Sequence, residues 1–347
     1  MLAKRVSELP AGDDWLFEPK WDGFRALVFR DGDEILIQSR DEKPLNRYFP
    51  ELLPPLQSAL PERCVLDGEI VIVRGDSLDF DALQLRLHPA ASRVKLLSGQ
   101  IPASFVFFDL LCLGNRDLRG EPFQARRQQL ETMISAAAPP IHLTPATVDR
   151  SVAADWFRRF EGAGLDGVMA KPVAGTYEPN KRVMLKVKHE RDCDCVVAGF
   201  RWHKKGDRTL VGSLLLGLFD EAGALQHVGV CASFSNTKRL ELAEFLKPYR
   251  EDALANHPWK AWADPESING RMPGGQSRWS QGKDLSWEPL RAELVVEVAY
   301  DHMQGDRFRH TAQFRRWRPD KQSPDCTYAQ LEVVTPQELA AIFPSGR

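Results

Sequence analysis

At 347 residues and 39.2 kDa the chain is long enough for about two domains of roughly 150 residues each. It is 43% hydrophobic and 27% charged, with a net charge of −2, the profile of a soluble globular protein. No apolar run approaches the roughly 18 residues that span a bilayer, and the stretch Met1 to Glu8 lacks the apolar core of a signal peptide, so no membrane attachment and a cytoplasmic location are expected.

Neither half is basic: residues 1–189 hold 25 Lys+Arg against 26 Asp+Glu, and residues 190–347 hold 21 against 22. Local clusters are the basic signal, Arg201-Trp202-His203-Lys204-Lys205 and Arg307 through Arg318. Each reads either as a solvated face or as a polyanion contact. Cys64, Cys112, Cys193, Cys195, Cys231 and Cys326 are scattered. None has the C-x-x-C spacing of a zinc site, and reduced thiols are expected.

In chain order, Ala26–Phe29 and Glu34–Gln38 flank Asp31-Gly32, predicting a hairpin that turns on that dipeptide. Strands are predicted at 64–73 and 105–111, helices at 126–138 and 153–161, and two more strands at 167–171 and 184–188. Glu190 to Asp194 reads as a polar link. Beyond it, compact strands at 195–200, 213–219, 225–230 and 294–300 with glycine turns predict a small antiparallel barrel, with one helix at 238–246. Residues 256–282, rich in Pro, Gly, Trp and Ser, predict a long loop. Thr335-Pro336-Gln337-Glu338 is a capping box that predicts a terminal helix through about Phe343.

Chemistry concentrates in Lys20-Trp21-Asp22-Gly23-Phe24-Arg25, where an amine, a carboxylate, a turn glycine and a guanidinium fall within six residues. A lysine before Asp-Gly is either an exposed strand end or a nucleophile. The second requires its pKa to fall from about 10.4, by burial or by cations such as Arg25, Lys186 and Lys188. Asp67-Gly68-Glu69 interrupts an apolar strand, either as an exposed turn or as a metal or ribose contact. Phe108 could be core or an aromatic face for a purine. Asp166 with Lys171, and Lys186 with Lys188, add a carboxylate and three lysines at strand ends; residues two apart share a strand face, so Lys186 and Lys188 could both meet a phosphate.

The order K-x-D-G-x-R, S-R, D-G-E, F-D, D-G-V-M-A-K, L-K-x-K and a late R-x-R-x-D-K resembles the covalent nucleotidyltransferases, and within them the short bacterial ATP-dependent DNA ligases, from about Trp15 to Lys321. The resemblance implies an α+β chain: an antiparallel-sheet adenylyltransferase domain of ATP-grasp-like ligase type over residues 1–189, then an OB-fold domain with a C-terminal helix over 190–347. It implies ATP as substrate, Mg²⁺ or Mn²⁺, covalent AMP on Lys20, and nicked duplex DNA as partner, with a monomer expected. Carried over by position, Lys20 is the nucleophile, in a turn with Asp22, and Glu18 helps read adenine. Arg25 and Arg40 contact ribose or phosphate, Glu69 ribose and metal, and Phe108 stacks on adenine. Lys171 is a further nucleotide contact, and Lys186 and Lys188 hold the α-phosphate. Arg316, Arg318, Asp320 and Lys321 orient the pyrophosphate.

One departure stands out: the fourth motif usually carries glutamate, where this chain has Asp166. One methylene shorter, it reaches a metal only by a backbone shift or through water. The closeness of Lys20 to the chain start implies no DNA-binding domain ahead of it, leaving the two domains to grip DNA. Two rivals share the lysine motif: an mRNA-capping guanylyltransferase or RNA ligase, and a non-enzymatic OB module with a degenerate nucleotide domain. The R-x-R-x-D-K ending argues against capping, and intact Lys20, Glu69, Lys186 and Lys188 argue against degeneration.

Overall fold

In the computed structural model the described residues are 1–75, 77–159, 163–262 and 286–331, and they form two compact units that divide between His189 and Glu190. The expected terminal helix, residues 160–162 and most of the expected long loop lie outside the described residues.

The first unit holds two sheets. In one, β1 (Leu2–Val6), β9 (Arg182–Val187), β8 (Val168–Pro172) and β2 (Trp15–Pro19) lie in that spatial order, with β1 parallel to β9 and the other pairs antiparallel. In the other the order is β7 (Ile141–Leu143), β6 (Ser104–Leu113), β5 (Arg63–Val71), β3 (Phe24–Asp31) and β4 (Glu34–Ser39). Ala26, Val28, Ile37, Leu66, Ile70, Phe105 and Phe107 point from this second sheet into a core closed by Leu56 of α1 (Leu53–Ala59), Leu83 of α2 (Phe80–Leu85) and Leu130 of α4 (Phe123–Ile134). Alternation puts Arg25, Glu69 and Phe108 on the opposite face. Helices α3 (Ala91–Gln100) and α5 (Arg150–Arg159) complete this unit.

In the second unit β12 (Leu225–Cys231), β11 (Val211–Phe219), β10 (Arg191–Trp202), β13 (Glu288–Tyr300) and β14 (Gln313–Trp317) form one antiparallel sheet in that order, with α6 (Asn236–Leu246) following β12. Five strands with a helix between the third and fourth make an OB fold.

Three local expectations are corrected. The hairpin turns on Gly32-Asp33, since Asp31 pairs with Glu34 and Gly32 takes the positive φ of 59°. Glu190 to Asp194 is not a link. β10 begins at Arg191, and Asp192 and Asp194 alternate with the buried Arg191, Cys193 and Cys195, so the acidic residues there mark one face of a strand. Nor does Asp67-Gly68-Glu69 turn, because β5 continues through it and pairs on both sides, with a register shift against β6 between Asp67 and Gly68.

Candidate active site

The turn that carries Lys20 is built by two Asp-Gly pairs, Asp22-Gly23 and Asp166-Gly167. A Cβ on Gly23 would lie 2.2 Å from the Ile70 carbonyl oxygen, so only glycine lets the chain after Asp22 pass against β5. Gly167 has φ of +123°, and a Cβ there would lie 2.0 Å from the Val187 carbonyl oxygen, which requires glycine on both counts. The backbones of the two segments then lock together, Lys20 N–H donating to Gly167 O and Asp166 N–H to Lys20 O.

This brings three charged side chains onto one atom. Asp166 Oδ2 lies 2.7 Å from Lys20 Nζ and 2.8 Å from Lys188 Nζ. Burial alone would lower the Lys20 pKa, but Asp166, with Glu69 and Asp22 further off, raises it. The expectation that cations lower it is therefore corrected for this arrangement: the nearest charge to the amine is the carboxylate of Asp166, just before Gly167, which the lysine spacing did not reveal. Burial opposes ionisation of Asp166, yet the two ammonium groups hold its pKa below the usual range. Lys186 is the lysine whose pKa is lowered, by burial and by the charges of Lys20 and Lys188.

Glu69 stands opposite Arg25 across the β3–β5 pair. Burial pushes its pKa up to about 8, against the pull of Lys20 and Arg25. Arg25 forks onto Asp67, Nε to Oδ1 at 3.0 Å and Nη2 to Oδ2 at 2.6 Å, and Tyr177 Oη donates to Asp67 Oδ2 at 3.0 Å. Asp67 thus anchors Arg25 where the sequence suggested a metal or ribose contact, and Tyr177 joins this network although sequence reasoning did not single it out. Asp109 is likewise buried and forked by Arg126.

Below Lys20 on β2, Glu18 is buried and flanked by two cations: Oε2 lies 2.6 Å from Lys171 Nζ and Oε1 3.3 Å from Arg127 Nη1. Burial raises its pKa despite both. The Lys171 ammonium also lies 4.5 Å from the centre of the Phe108 ring, a cation–π contact. Glu18, Lys171 and Phe108 are thus brought together as one apolar-floored, charge-lined corner. Arg40 is not part of it: its side chain is 76% exposed beside Asp41. It lines, with Arg25, Ser39, Asp67, Arg119 and Tyr177, a neighbouring cavity of about 530 Å³.

Arg316, Arg318, Asp320 and Lys321 lie at the end of β14 and in the turn after it, in the second unit. There Arg318 bridges Asp194 at 3.0 Å, Glu297 at 3.2 Å and Asp320 at 2.8 Å, and Arg316 pairs with Glu297 at 2.8 Å. Asp194 and Glu297 were not foreseen, because they lie on β10 and β13, outside the motif in sequence.

Among the described residues, no three of His, Cys, Asp and Glu gather as a ready cage for a metal. Asp166 and Glu69 beside Lys20 nevertheless offer oxygen donors of the kind Mg²⁺ takes, one or two carboxylates completed by substrate phosphates and water. The donor chemistry fits.

A two-sheet domain with a half-buried lysine between acidic and basic neighbours, followed by an OB fold, defines a covalent nucleotidyltransferase. Residues 1–188 match the model of the ATP dependent DNA ligase domain and residues 207–321 that of the ATP dependent DNA ligase C terminal region. The chain is 56% identical to DNA ligase C2 of Mycolicibacterium smegmatis over 96% of its length and 93% of the relative's. It is 51% identical to DNA ligase C of Mycobacterium tuberculosis over 100% of its length and 97% of that protein's. A solved Lig E DNA ligase, 17% identical, matches over 92% of this chain and 100% of its own with a TM-score of 0.54, a likeness of fold. The chain belongs to the ATP-dependent DNA ligases, and with them it uses ATP and a divalent metal and passes through a lysyl-AMP intermediate.

Proposed function

We propose that this enzyme seals 3′-hydroxyl/5′-phosphate nicks in duplex DNA with Lys20 as the adenylylated residue. The observation that carries the assignment is the Lys20 amine paired with Asp166, with Lys188 on the same carboxylate oxygen and the charge of Glu69 further off. In the first step Lys20 Nζ, having lost its proton, attacks the α-phosphorus of ATP; an N–P bond forms and pyrophosphate leaves. The 5′-phosphate of the nick then displaces the lysine to give a DNA-adenylate, and the 3′-hydroxyl displaces AMP.

Lys186 and Lys188 suit the α-phosphate, where fixed cations stabilise charge that grows in the transition state. Asp166 must leave Lys20 for the amine to lose its proton. Glu18, Lys171 and Phe108 suit the base, Arg25 and Glu69 the ribose, and Arg40 a phosphate at the rim. Arg316, Arg318, Asp320 and Lys321 suit the departing pyrophosphate. Asp166 and Glu69 would hold Mg²⁺ or Mn²⁺, which neutralises phosphate charge when bound. A monomer acting in DNA repair, in the cytoplasm and on the nucleoid when bound to DNA, is consistent with this reading. Among the described residues no helix is long and apolar enough to cross a membrane.

The test is covalent labelling of the full chain by ATP and, separately, by GTP. Labelling of wild type by ATP and its loss in Lys20→Ala is expected, with Lys20→Ala still sealing a nick already adenylylated at its 5′ end. Labelling by GTP alone would sink the assignment.

A further inference from the structure

Arg127 on α4 is a buried arginine outside every motif that resembles the family, and its guanidinium joins three elements around Lys20. Nη1 reaches Glu18 Oε1 at 3.3 Å, Nη2 donates to the Thr144 carbonyl at 2.7 Å, and Nε donates to Glu131 Oε1 at 2.7 Å. Thr144 is fully buried, and its hydroxyl accepts from Trp21 Nε1 at 2.8 Å. Trp21 follows Lys20 directly, and Glu18 precedes it by two residues. One guanidinium therefore touches the carboxylate on one side of the nucleophile and, through Thr144, the indole on the other.

We propose that Arg127 is a positioning residue for lysine adenylylation: its first arm aims the Glu18 carboxyl group at the nucleotide base, and its second arm fixes Thr144 and through it the Trp21 end of the Lys20 turn. The proposal rests on Lys20 being the adenylylated lysine and Glu18 a base contact.

The charge arm follows from what surrounds Glu18. Lys171 on β8 and Arg127 on α4 favour its ionised form, whereas burial and Asp109 on β6 favour the protonated one. Removing Arg127 tips that balance, so Glu18 protonates at a higher pH. The geometric arm follows from the fork. A lysine at 127 would bring a point charge but could not bond Glu18 and the Thr144 carbonyl in one plane.

The experiment measures rates of lysine adenylylation by the full chain against ATP concentration and pH, for wild type, Arg127→Gln, Arg127→Lys and Thr144→Val. For Arg127→Gln, the KM for ATP is expected to rise about tenfold, the scale of one lost charged hydrogen bond, and the pH below which KM climbs moves upward. Arg127→Lys restores that pH but not the full rate. Thr144→Val, which leaves Glu18 paired, lowers kcat with the pH dependence of KM unmoved.

Wild-type KM and pH dependence in Arg127→Gln, or an Arg127→Lys profile identical to that of Arg127→Gln, overturns the proposal. So does a lowered melting temperature as the sole change. If Arg127→Gln does not fold, Arg127→Lys and Thr144→Val decide it by the same readings. Wild type labelled at a lysine other than Lys20 would instead overturn the assignment of the nucleophile.

Discussion

Lys20 Nζ and Asp166 Oδ2 are 2.7 Å apart, so the amine proposed to attack phosphorus rests as an ammonium against a carboxylate. The pair explains why aspartate serves where glutamate is usual: the Asp166 backbone is already bonded to the Lys20 carbonyl, and a short side chain suffices to reach Nζ. Asp166→Asn removes the charge but keeps the shape, so the Lys20 pKa is expected to fall while adenylylation falls at least about a hundredfold, as for loss of a group acting on the transition state. NMR titration of methyl-labelled lysine checks the first part, and labelling by ATP with added Mg²⁺ the second. A Lys20 pKa that stays put or rises in Asp166→Asn would disprove the account.

Asp67 is fully buried and carries both arms of Arg25 and the Tyr177 hydroxyl. Asp67→Asn leaves the guanidinium opposite a neutral amide beneath the sheet. Breaking one side of a buried pair costs about 3 kcal/mol, so a lower melting temperature is expected, together with weaker ATP use as Arg25 loses its aim. Thermal unfolding and KM for ATP are the measurements, and an unchanged pair of values removes the network from the site.

The strands carrying Arg25, Glu69, Phe108, Lys171, Lys186 and Lys188 were legible as short apolar runs against which the charged residues stood out, but β2, which carries Glu18 and leads into Lys20, was not read as a strand. The electrostatic partners were not. Asp166 lies 146 residues from Lys20 and Arg127 lies 109 from Glu18, separations that only the pairing of β8 with β2 and the docking of α4 bring to zero. Nor were α1, α2 and α3 legible: they are short, α1 opens on Pro54-Pro55, and their helicity comes from packing Leu56, Leu83 and Leu97 rather than from propensity. The charge in Asp192 and Asp194 hid the start of β10, whose body at 195–200 was read, for a related reason, since one polar face of a strand reads in sequence as a break.

The β10–β11 connection carries Lys204 and Lys205, both exposed, with Gly206, Asp207 and Arg208 at positive φ. Such a turn holds its cations out in solvent, where they can neutralise phosphates. Lys204→Ala with Lys205→Ala is expected to weaken binding to nicked duplex and to flatten the slope of log K against log salt by about 2, one unit per lost phosphate contact. Fluorescence anisotropy over a salt series measures it; an unchanged slope would reduce the cluster to a solvated face.

His227 on β12 is 5% exposed, and neither ring nitrogen has a partner among the described residues. Its ring meets the Trp259 indole edge to face, with centroids 5.7 Å apart. Burial, with the charges of Arg307 and Arg201, lowers its pKa to about 3. The unfolded chain takes up this proton near pH 6.5, whereas the folded chain refuses it until about pH 3. Stability is therefore whole above pH 6.5 and declines as pH falls, since the unfolded state binds the extra proton; below about pH 3 both states carry it and the loss levels off. At pH 5 the loss is about 2 kcal/mol, from about 1.4 kcal/mol per pH unit. His227→Phe keeps a ring against Trp259 and has nothing to protonate. Whatever its constant effect on packing, its stability relative to wild type should improve between pH 7 and pH 5, read by urea unfolding at each pH. Parallel wild-type and His227→Phe curves would mean that the imidazole finds a proton acceptor in the folded state.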